Sequence, residues 1–164
     1  MSASRKHTVA VLMGSDSDYP VMKAAEEILE HFGIEADVRV ISAHRTPERL
    51  TRFLARAEEE GVAAIICGAG WAAHLAGVTA AQTTIPVLGV PIDSSPLQGL
   101  DALLATVQMP GGIPVGTLGI GKGGAKNAAL LAVAFIARFD PELDKRLKEF
   151  REAQSAEVPE RPTR

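Results

Sequence analysis

The chain has few cysteines and few aromatic residues. Its 164 residues include one cysteine, and 4% of them are aromatic. One cysteine cannot form a disulfide within the chain, so a fold stabilised by internal disulfides is excluded. The low cysteine content also predicts a reducing compartment. The apolar content of 46% is that of an ordinary globular domain with a sizeable core.

Long hydrophobic runs and an excess of basic charge are also missing. The longest apolar run, residues 128–137, is about half of the ~20 residues that a membrane-spanning helix needs. The first apolar run, residues 9–13, is shorter than the core of a secretory signal. The formal net charge is −3, so the basic surface that binds nucleic acid is not indicated. We therefore expect a cytoplasmic protein that binds neither membranes nor nucleic acid.

Short β-branched runs alternate with longer segments of helical periodicity. The predicted strands span residues 8–13, 36–41, 63–67, 86–90 and 114–120, and the predicted helices span residues 19–32, 47–60, 72–83, 98–108 and 123–138. This alternation with short links produces right-handed crossovers and a parallel sheet with helices on both faces. The sequence thus predicts a three-layer α/β/α sandwich on a five-stranded parallel sheet of flavodoxin-like order.

Two helix termini carry further signals. The second predicted helix begins with Thr46 as N-cap and Pro47 at its first position. A C-terminal helix begins near residue 140 and is followed by a polar tail, so we assign residues 1–154 to one domain and 155–164 to the tail. This helix is either a solvated element or one whose apolar stripe docks on a neighbouring subunit, the stripe being Leu143, Leu147 and Phe150.

The loop after the first predicted strand can bind a sugar phosphate. Sheets of this kind bind ligands at the carboxyl ends of their strands. Ser15 and Ser17 offer hydroxyl donors to phosphate oxygens beside a helix N-terminus, and Asp18 can accept from ribose hydroxyls. The alternative is that Ser17 or Asp18 simply caps the helix that follows.

The loops after the second and third predicted strands bring two histidines to the same edge. His44 can exchange protons near neutral pH, and the adjacent Arg45 can hold phosphate with two hydrogen bonds. Small residues at 68–77 would let a ligand lie against the backbone, although a tight turn and a capping role for His74 are the simpler interpretation. Trp71, the only tryptophan, is either a lid, a subunit contact or a core residue.

Other segments carry weaker signals. Residues 108–114 border a site or merely connect two elements, and the glycines of residues 119–127 are a poor match to a nucleotide-binding loop. The four histidines lack the short spacing of metal ligands, so no metal site is predicted. His7 and His31 are expected at the surface. Cys67 lies in an apolar run and is interpreted as a packed core thiol.

Together these motifs resemble the class I N(5)-carboxyaminoimidazole ribonucleotide mutases of purine biosynthesis, in the AIR carboxylase family. The resemblance extends from residue 9 to residue 151. It rests on residues 14–18, 42–47, 68–70, 72–75, 108–111 and 127–131, which occur in the family's order. It implies a flavodoxin-like fold, a homo-octamer in which neighbouring chains complete each site, and a reaction that needs no cofactor.

The implied reaction moves a carboxylate from the exocyclic nitrogen of the ribonucleotide substrate to ring carbon 4, through released carbon dioxide. By resemblance His44 is the proton-transfer residue, with His74 beside it as the second candidate catalytic residue. Arg45 is expected on the phosphate. The full predicted substrate-binding set is Ser15, Ser17, Asp18, Ser42, Ala43, Arg45, Ala69, Gly70, Trp71 and Leu75.

Two positions depart from the family pattern, which has glycine at Trp71 and proline at Ala76. An indole in the carboxyl-binding loop would either be tolerated at the loop edge or impair or alter catalysis. Two other functions therefore accompany the mutase prediction. One is the direct carboxylation of aminoimidazole ribonucleotide by carbon dioxide, and the other is a catalytically silent nucleotide-binding protein.

Overall fold

The computed structural model describes residues 7–162 and contains one parallel five-stranded sheet. The strands are β1 (Thr8–Met13), β2 (Glu35–Val40), β3 (Ala64–Ala69), β4 (Val87–Pro91) and β5 (Gly116–Thr117), in the order β2-β1-β3-β4-β5. The helices are α1 (Tyr19–His31), α2 (Pro47–Glu59), α3 (Leu75–Ala80), α4 (Leu100–Val107), α5 (Lys122–Ala137) and α6 (Pro141–Ala156). This architecture confirms the predicted flavodoxin-like α/β fold. None of these helices within residues 7–162 is long and apolar enough to span a bilayer.

The central strand β1 separates two hydrophobic cores. Its alternate side chains point to opposite faces, as strand geometry requires. Val9, Val11 and Met13 pack with residues of α1, α5 and α6, whereas Ala10 and Leu12 pack with residues of α2 and α3. Because helices cover both faces of the central strands, these strands are open to ligands at their ends.

Cys67 lies in the second of these cores. Its side chain is buried and donates to Thr79 Oγ1 at 3.6 Å. Burial raises the pKa of the thiol to about 12, which the Thr79 contact only partly opposes. A thiol of this kind stays protonated and unreactive, so the interpretation as a core residue is confirmed.

Several predicted boundaries are wrong, and backbone geometry explains them. The fifth strand pairs over two residues instead of seven, since the Pro-rich segment before it and the turn after it leave little extended chain. The third helix begins at Leu75 instead of residue 72, because the N–H groups of Ala73 and His74 bond to the carbonyls two residues before them and not in a helical pattern. The fourth begins after Gly99, whose φ is +82°.

Thr46 occupies the N-cap position of α2 but does not cap it. Its hydroxyl instead accepts from the Ser42 backbone N–H and donates to the Ser42 carbonyl, each at 3.0 Å. The predicted capping bond is therefore wrong. The side chain closes the loop that carries His44 and Arg45, and so it supports a ligand-facing segment.

The C-terminal helix α6 packs on its own chain. Leu143 and Leu147 are buried in the core that contains α1 and α5, and the Phe150 ring lies 5.4 Å from the Phe32 ring. Arg146 donates to the carbonyl oxygens of His31 and Phe32 at the end of α1. Docking of this stripe on a neighbouring subunit is therefore a wrong prediction, as is a wholly solvated helix, because the end of α1 supplies both apolar and carbonyl partners.

The N-cap of α6 is Asp140, which accepts from the backbone N–H groups of Glu142 and Leu143 at 3.1 Å each. His7 Nε2 lies 3.1 Å from the same carboxylate. His7 is half-buried, so its predicted position at the surface is only partly correct, whereas His31 is exposed as predicted. The bond from Leu143, followed by that from His7, lowers the pKa of Asp140.

We expect Asp140→Ala to lower the free energy of unfolding by about 1 kcal/mol, the usual effect of losing an N-cap. The carboxylate stabilises the fold above its ordinary pKa of 3.8, and this contribution is lost as pH falls through the lower folded-state value. Urea unfolding at pH 7 and at acid pH measures the difference. Glu152→Ala, on the exposed end of the same helix, is the control, and an equal loss in both variants would contradict the capping role.

Candidate functional site

A cavity of about 650 Å³ opens at the carboxyl ends of β1, β2 and β3. Every residue that the sequence predicts for catalysis or substrate binding lines this cavity. The set includes three segments that are far apart in the chain, namely 15–18, 42–45 and 69–75. The parallel topology explains the convergence, because the carboxyl ends of adjacent strands share one edge.

The loop after β1 is held by its own side chains. The Ser15 hydroxyl accepts from the Ser17 backbone N–H and hydroxyl, and Asp18 Oδ2 accepts from the Ser15 N–H at 3.1 Å. Ser15 is thus the cap of a short 3₁₀ turn that leads into α1. The simple alternative, capping of α1 by Ser17 or Asp18, is wrong because neither side chain bonds to the first turn of α1.

Asp18 is a buried acid at the wall of the cavity. Burial raises the pKa of its carboxyl, while the hydrogen bond from Ser15 and the charge of Arg45 oppose that rise. An acid with a raised folded-state pKa stabilises the fold less as pH rises through that value. Burial of the Asp18 carboxylate beside the cavity therefore lowers the stability of the free protein. Such a destabilising buried group is typical of ligand-binding sites.

Arg45 joins the loops that follow β1 and β2. Its Nη2 donates to the Gly14 carbonyl at 3.1 Å, and its Nε donates to Ser42 Oγ at 3.4 Å. Guanidinium has five N–H donors, so others stay available for a ligand. The guanidinium and the hydroxyls of Ser15, Ser17 and Ser42 line one cavity, an arrangement suited to a phosphate group.

His44 and His74 form a direct hydrogen bond. His44 Nε2 lies 2.8 Å from His74 Nδ1, and the two rings meet edge to face with centroids 4.9 Å apart. One nitrogen must donate while the other accepts, so the pair can hold this bond when neutral or with one added proton, but not with two. The predicted capping role of His74 is wrong, because its side chain makes no bond to α3. A bonded imidazole pair of this kind can both donate and accept a proton.

Gly70 brings the loop after β3 against the loop after β4. A Cβ at Gly70 would overlap the side chain of Ser94 and would lie 3.1 Å from the Ile92 carbonyl oxygen. Only glycine fits this close approach without displacing Ser94. The backbone around Gly70 is part of the lining of the cavity, as are His74 and Ser94.

Trp71 lies at the rim of the cavity. Its φ of +52° is a left-handed conformation that costs a residue with a side chain about 1–3 kcal/mol, and such strain clusters at functional sites. The side chain is 60% exposed. Core packing of Trp71 is therefore wrong, and the indole leaves the interior of the cavity open.

Sequence reasoning missed three residues of the cavity lining, Gly14, Ala72 and Ser94. Ser94 was detectable, because it is a polar residue close behind the buried strand β4, at the same sheet edge as the other loops. Neither residues 108–114 nor residues 119–127 line this cavity. Within residues 7–162, no group of three histidine, cysteine, aspartate or glutamate side chains is placed to hold a metal ion.

Comparison with known proteins gives one consistent result. The family model described as AIR carboxylase matches residues 8–157. A protein of Brucella melitensis named N5-carboxyaminoimidazole ribonucleotide mutase is 56% identical over 155 residues, which cover 94% of this chain and 96% of the relative. A protein of the same name from Pyrococcus abyssi is 58% identical over 144 residues, which cover 88% and 82% of the two chains.

A solved structure shows the same fold. The crystal structure of Treponema denticola PurE superposes with a TM-score of 0.82 at 29% sequence identity, and the match covers 92% of this chain and 93% of that chain. The two chains thus share one fold over nearly their whole length.

Proposed function

Because the chain belongs to the AIR carboxylase family, we propose that its cavity is the active site of an isomerase in purine biosynthesis. The enzyme converts N5-carboxyaminoimidazole ribonucleotide into 4-carboxy-5-aminoimidazole ribonucleotide. The observation that carries the site assignment is the bonded His44 and His74 pair in the same cavity as Arg45. The pair provides a proton donor and acceptor, and the arginine provides a place for the substrate phosphate.

The phosphate and ribose bind at the loops after β1 and β2. The Arg45 guanidinium and the hydroxyls of Ser15 and Ser42 donate to phosphate oxygens, with Ser17 completing the set. The Asp18 carboxylate accepts from a ribose hydroxyl. This anchoring fixes the imidazole ring near the two histidines, and positioning of this kind can contribute several kcal/mol to catalysis.

His44 exchanges a proton with the substrate at two steps. It first donates to the exocyclic nitrogen as the N–C bond breaks and carbon dioxide leaves. The carbon dioxide then bonds to ring carbon 4, and His44 removes the proton from that carbon, so that its original protonation state returns. His74 shares a hydrogen bond with His44 throughout and holds the ring that transfers the proton.

The loop after β3 holds the migrating carboxyl group. Ala69 and Gly70 present backbone at close range because Gly70 has no Cβ, and Ala43 and Leu75 complete the walls with small or apolar surface. Retention of the released carbon dioxide beside the ring at this loop makes its recapture effectively intramolecular. No group in this scheme requires a cofactor.

Trp71 forms a side wall at the mouth of the cavity, where its indole can stack on the substrate heterocycle. We expect Trp71→Gly to lower kcat/KM by about tenfold through KM, the loss expected for one aromatic stacking contact. The same change should not lower the free energy of unfolding, because it relieves the left-handed strain and removes an exposed side chain. Steady-state kinetics and urea unfolding measure the two effects.

Trp71→Phe is the matched variant, and it should keep most of the affinity. A rise in kcat for Trp71→Gly would contradict the stacking role. It would show instead that the indole impairs turnover, which is the other consequence predicted from the departure at this position.

The protein acts as a homo-oligomer, and the resemblance favours an octamer. The support in this chain is an apolar surface on and before α4, where four aliphatic side chains are about half exposed or more, namely Leu97, Leu100, Leu104 and Val107. Such a surface is unusual on a monomer. Sedimentation equilibrium should give a mass of about eight chains, and Leu100→Lys together with Leu104→Lys should dissociate the assembly.

The function is tested by incubating the purified protein with N5-carboxyaminoimidazole ribonucleotide, without nucleotide or added metal. Formation of the carbon-4 carboxylate confirms the isomerase. Formation only from aminoimidazole ribonucleotide at high bicarbonate would show a direct carboxylase. Binding of substrate without turnover would show a silent nucleotide-binding protein.

A further inference from the structure

A second cavity, of about 500 Å³, lies between the edge strand β2 and helix α2 and shares no lining residue with the active-site cavity. Its lining consists of four arginines and three apolar residues, namely Arg39, Arg49, Arg52, Arg56, Val40, Ile41 and Phe53. The protein as a whole has a net charge of −3, so this local concentration of positive charge opposes the overall balance. We call this cavity the arginine groove.

The arginines form an ordered row along α2. Arg49, Arg52 and Arg56 follow one another at spacings of three and four residues, which places them on one helix face over about 10 Å. Arg39 faces them from the strand. The groove therefore presents guanidinium groups along a line, and not at a single point.

Two of the four arginines of the groove, Arg39 and Arg56, are bonded to the same carboxylate. Asp37 accepts from Arg39 Nε at 2.5 Å and from Arg56 Nη2 at 3.0 Å. The Arg56 guanidinium also lies 5.3 Å from the centre of the Phe53 ring, and its Nε is 3.5 Å from Glu60. These contacts fix two guanidinium groups as a rigid wall before any ligand binds, which lowers the entropic cost of binding.

The other two arginines of the groove, Arg49 and Arg52, have no carboxylate within 4 Å among residues 7–162. Within the same residues, the Arg49 side chain donates one hydrogen bond, to the Val40 carbonyl at 3.4 Å. Four guanidinium groups thus face two carboxylates. An anion in the groove would meet one preorganised and one uncompensated pair of arginines.

From this arrangement we propose that the arginine groove binds an oligophosphate, such as the triphosphate chain of a nucleotide, at a site separate from the active site. Guanidinium groups match phosphate oxygens with paired hydrogen bonds, and a row about 10 Å long suits linked phosphates better than a single one. The volume falls within the usual range for small-molecule sites, about 300–1,000 Å³. The exposed side chain of Val40 offers apolar surface at the rim for the rest of the ligand.

Isothermal titration calorimetry of the whole protein with ATP and with inorganic tripolyphosphate, at about 0.15 M salt, tests the proposal. We expect both probes to bind, and Arg49→Gln combined with Arg52→Gln to weaken binding by about tenfold or more. Tighter binding of ATP than of tripolyphosphate would place the nucleoside on the apolar rim, and equal binding would restrict the contact to the phosphates.

Two further variants separate this site from other causes. Arg138→Gln with Arg151→Gln removes the same charge from exposed positions elsewhere and should leave binding unchanged. Arg45→Gln alters the active site and should also leave it unchanged. Absence of binding, equal weakening by the exposed pair, or loss in Arg45→Gln alone would each overturn the proposal, whatever the outcome of the turnover assay.

Discussion

Replacing His44 with asparagine is expected to lower kcat by about 10²–10⁴-fold, the usual contribution of a general acid and base. Asparagine cannot take up or release a proton near neutral pH, and its amide ends short of the position of His44 Nε2, so the bond to His74 Nδ1 is lost as well. The KM should change little, because the phosphate and ribose anchors are elsewhere. Steady-state kinetics on the ribonucleotide substrate, with circular dichroism to confirm the fold, measures this.

The partner residue provides the matched comparison. His74→Asn leaves His44 in place but changes its hydrogen bond, so it should reduce kcat by less and should shift the pH dependence of kcat. A merely structural role for His74 would lower stability without moving the pH profile. If His44→Asn retained normal kcat, the assignment of proton transfer to this pair would be wrong.

Replacing Arg45 with glutamine is expected to lower kcat/KM by about 10–150-fold, since a hydrogen bond between charged groups is worth about 1.5–3 kcal/mol. Most of the loss should lie in KM, because Arg45 is placed to hold the phosphate away from the reacting atoms. The folded state should survive, since the Arg45 side chain is exposed and only bridges Gly14 and Ser42.

Arg45→Lys separates charge from geometry. Lysine keeps the positive charge but lacks the paired donors, so it should restore only part of the affinity. Lys126→Gln, an exposed change distant in sequence, is the control for loss of charge alone. A loss confined to kcat in Arg45→Gln would contradict the anchoring role and would place the guanidinium nearer the reacting carboxyl group.

The fold and most of the cavity followed from the sequence for physical reasons. Buried parallel strands are continuous apolar runs, so β1, β3 and β4 were recognisable within a few residues, whereas the edge strand β2 was recognisable by its alternation of apolar and charged residues. Once those strands are parallel, their loops must meet at one edge, and polar residues there become neighbours. The two histidines, 30 positions apart, could be expected at one site on that ground alone.

What sequence reasoning missed depended on partners far along the chain. The stripe on α6 is apolar whether it meets a second subunit or the end of α1, and only the fold shows that Phe32 and Arg146 complete the contact within one chain. Thr46 is a favourable cap by type, yet Ser42 offers its hydroxyl two bonds instead. Choices between competing partners of similar chemistry are settled by tertiary geometry.

The position of Trp71 makes it an intrinsic fluorescent probe of the active-site cavity. Trp71 is the sole tryptophan of the chain and lies at the mouth of the cavity. Fluorescence excited at the long-wavelength edge of indole absorption therefore comes from that one location. A ligand that covers the ring removes it from water and changes its emission, while events at the arginine groove do not touch it. Occupancy of the active-site cavity can therefore be followed by indole emission without any attached dye, and without interference from binding at the arginine groove.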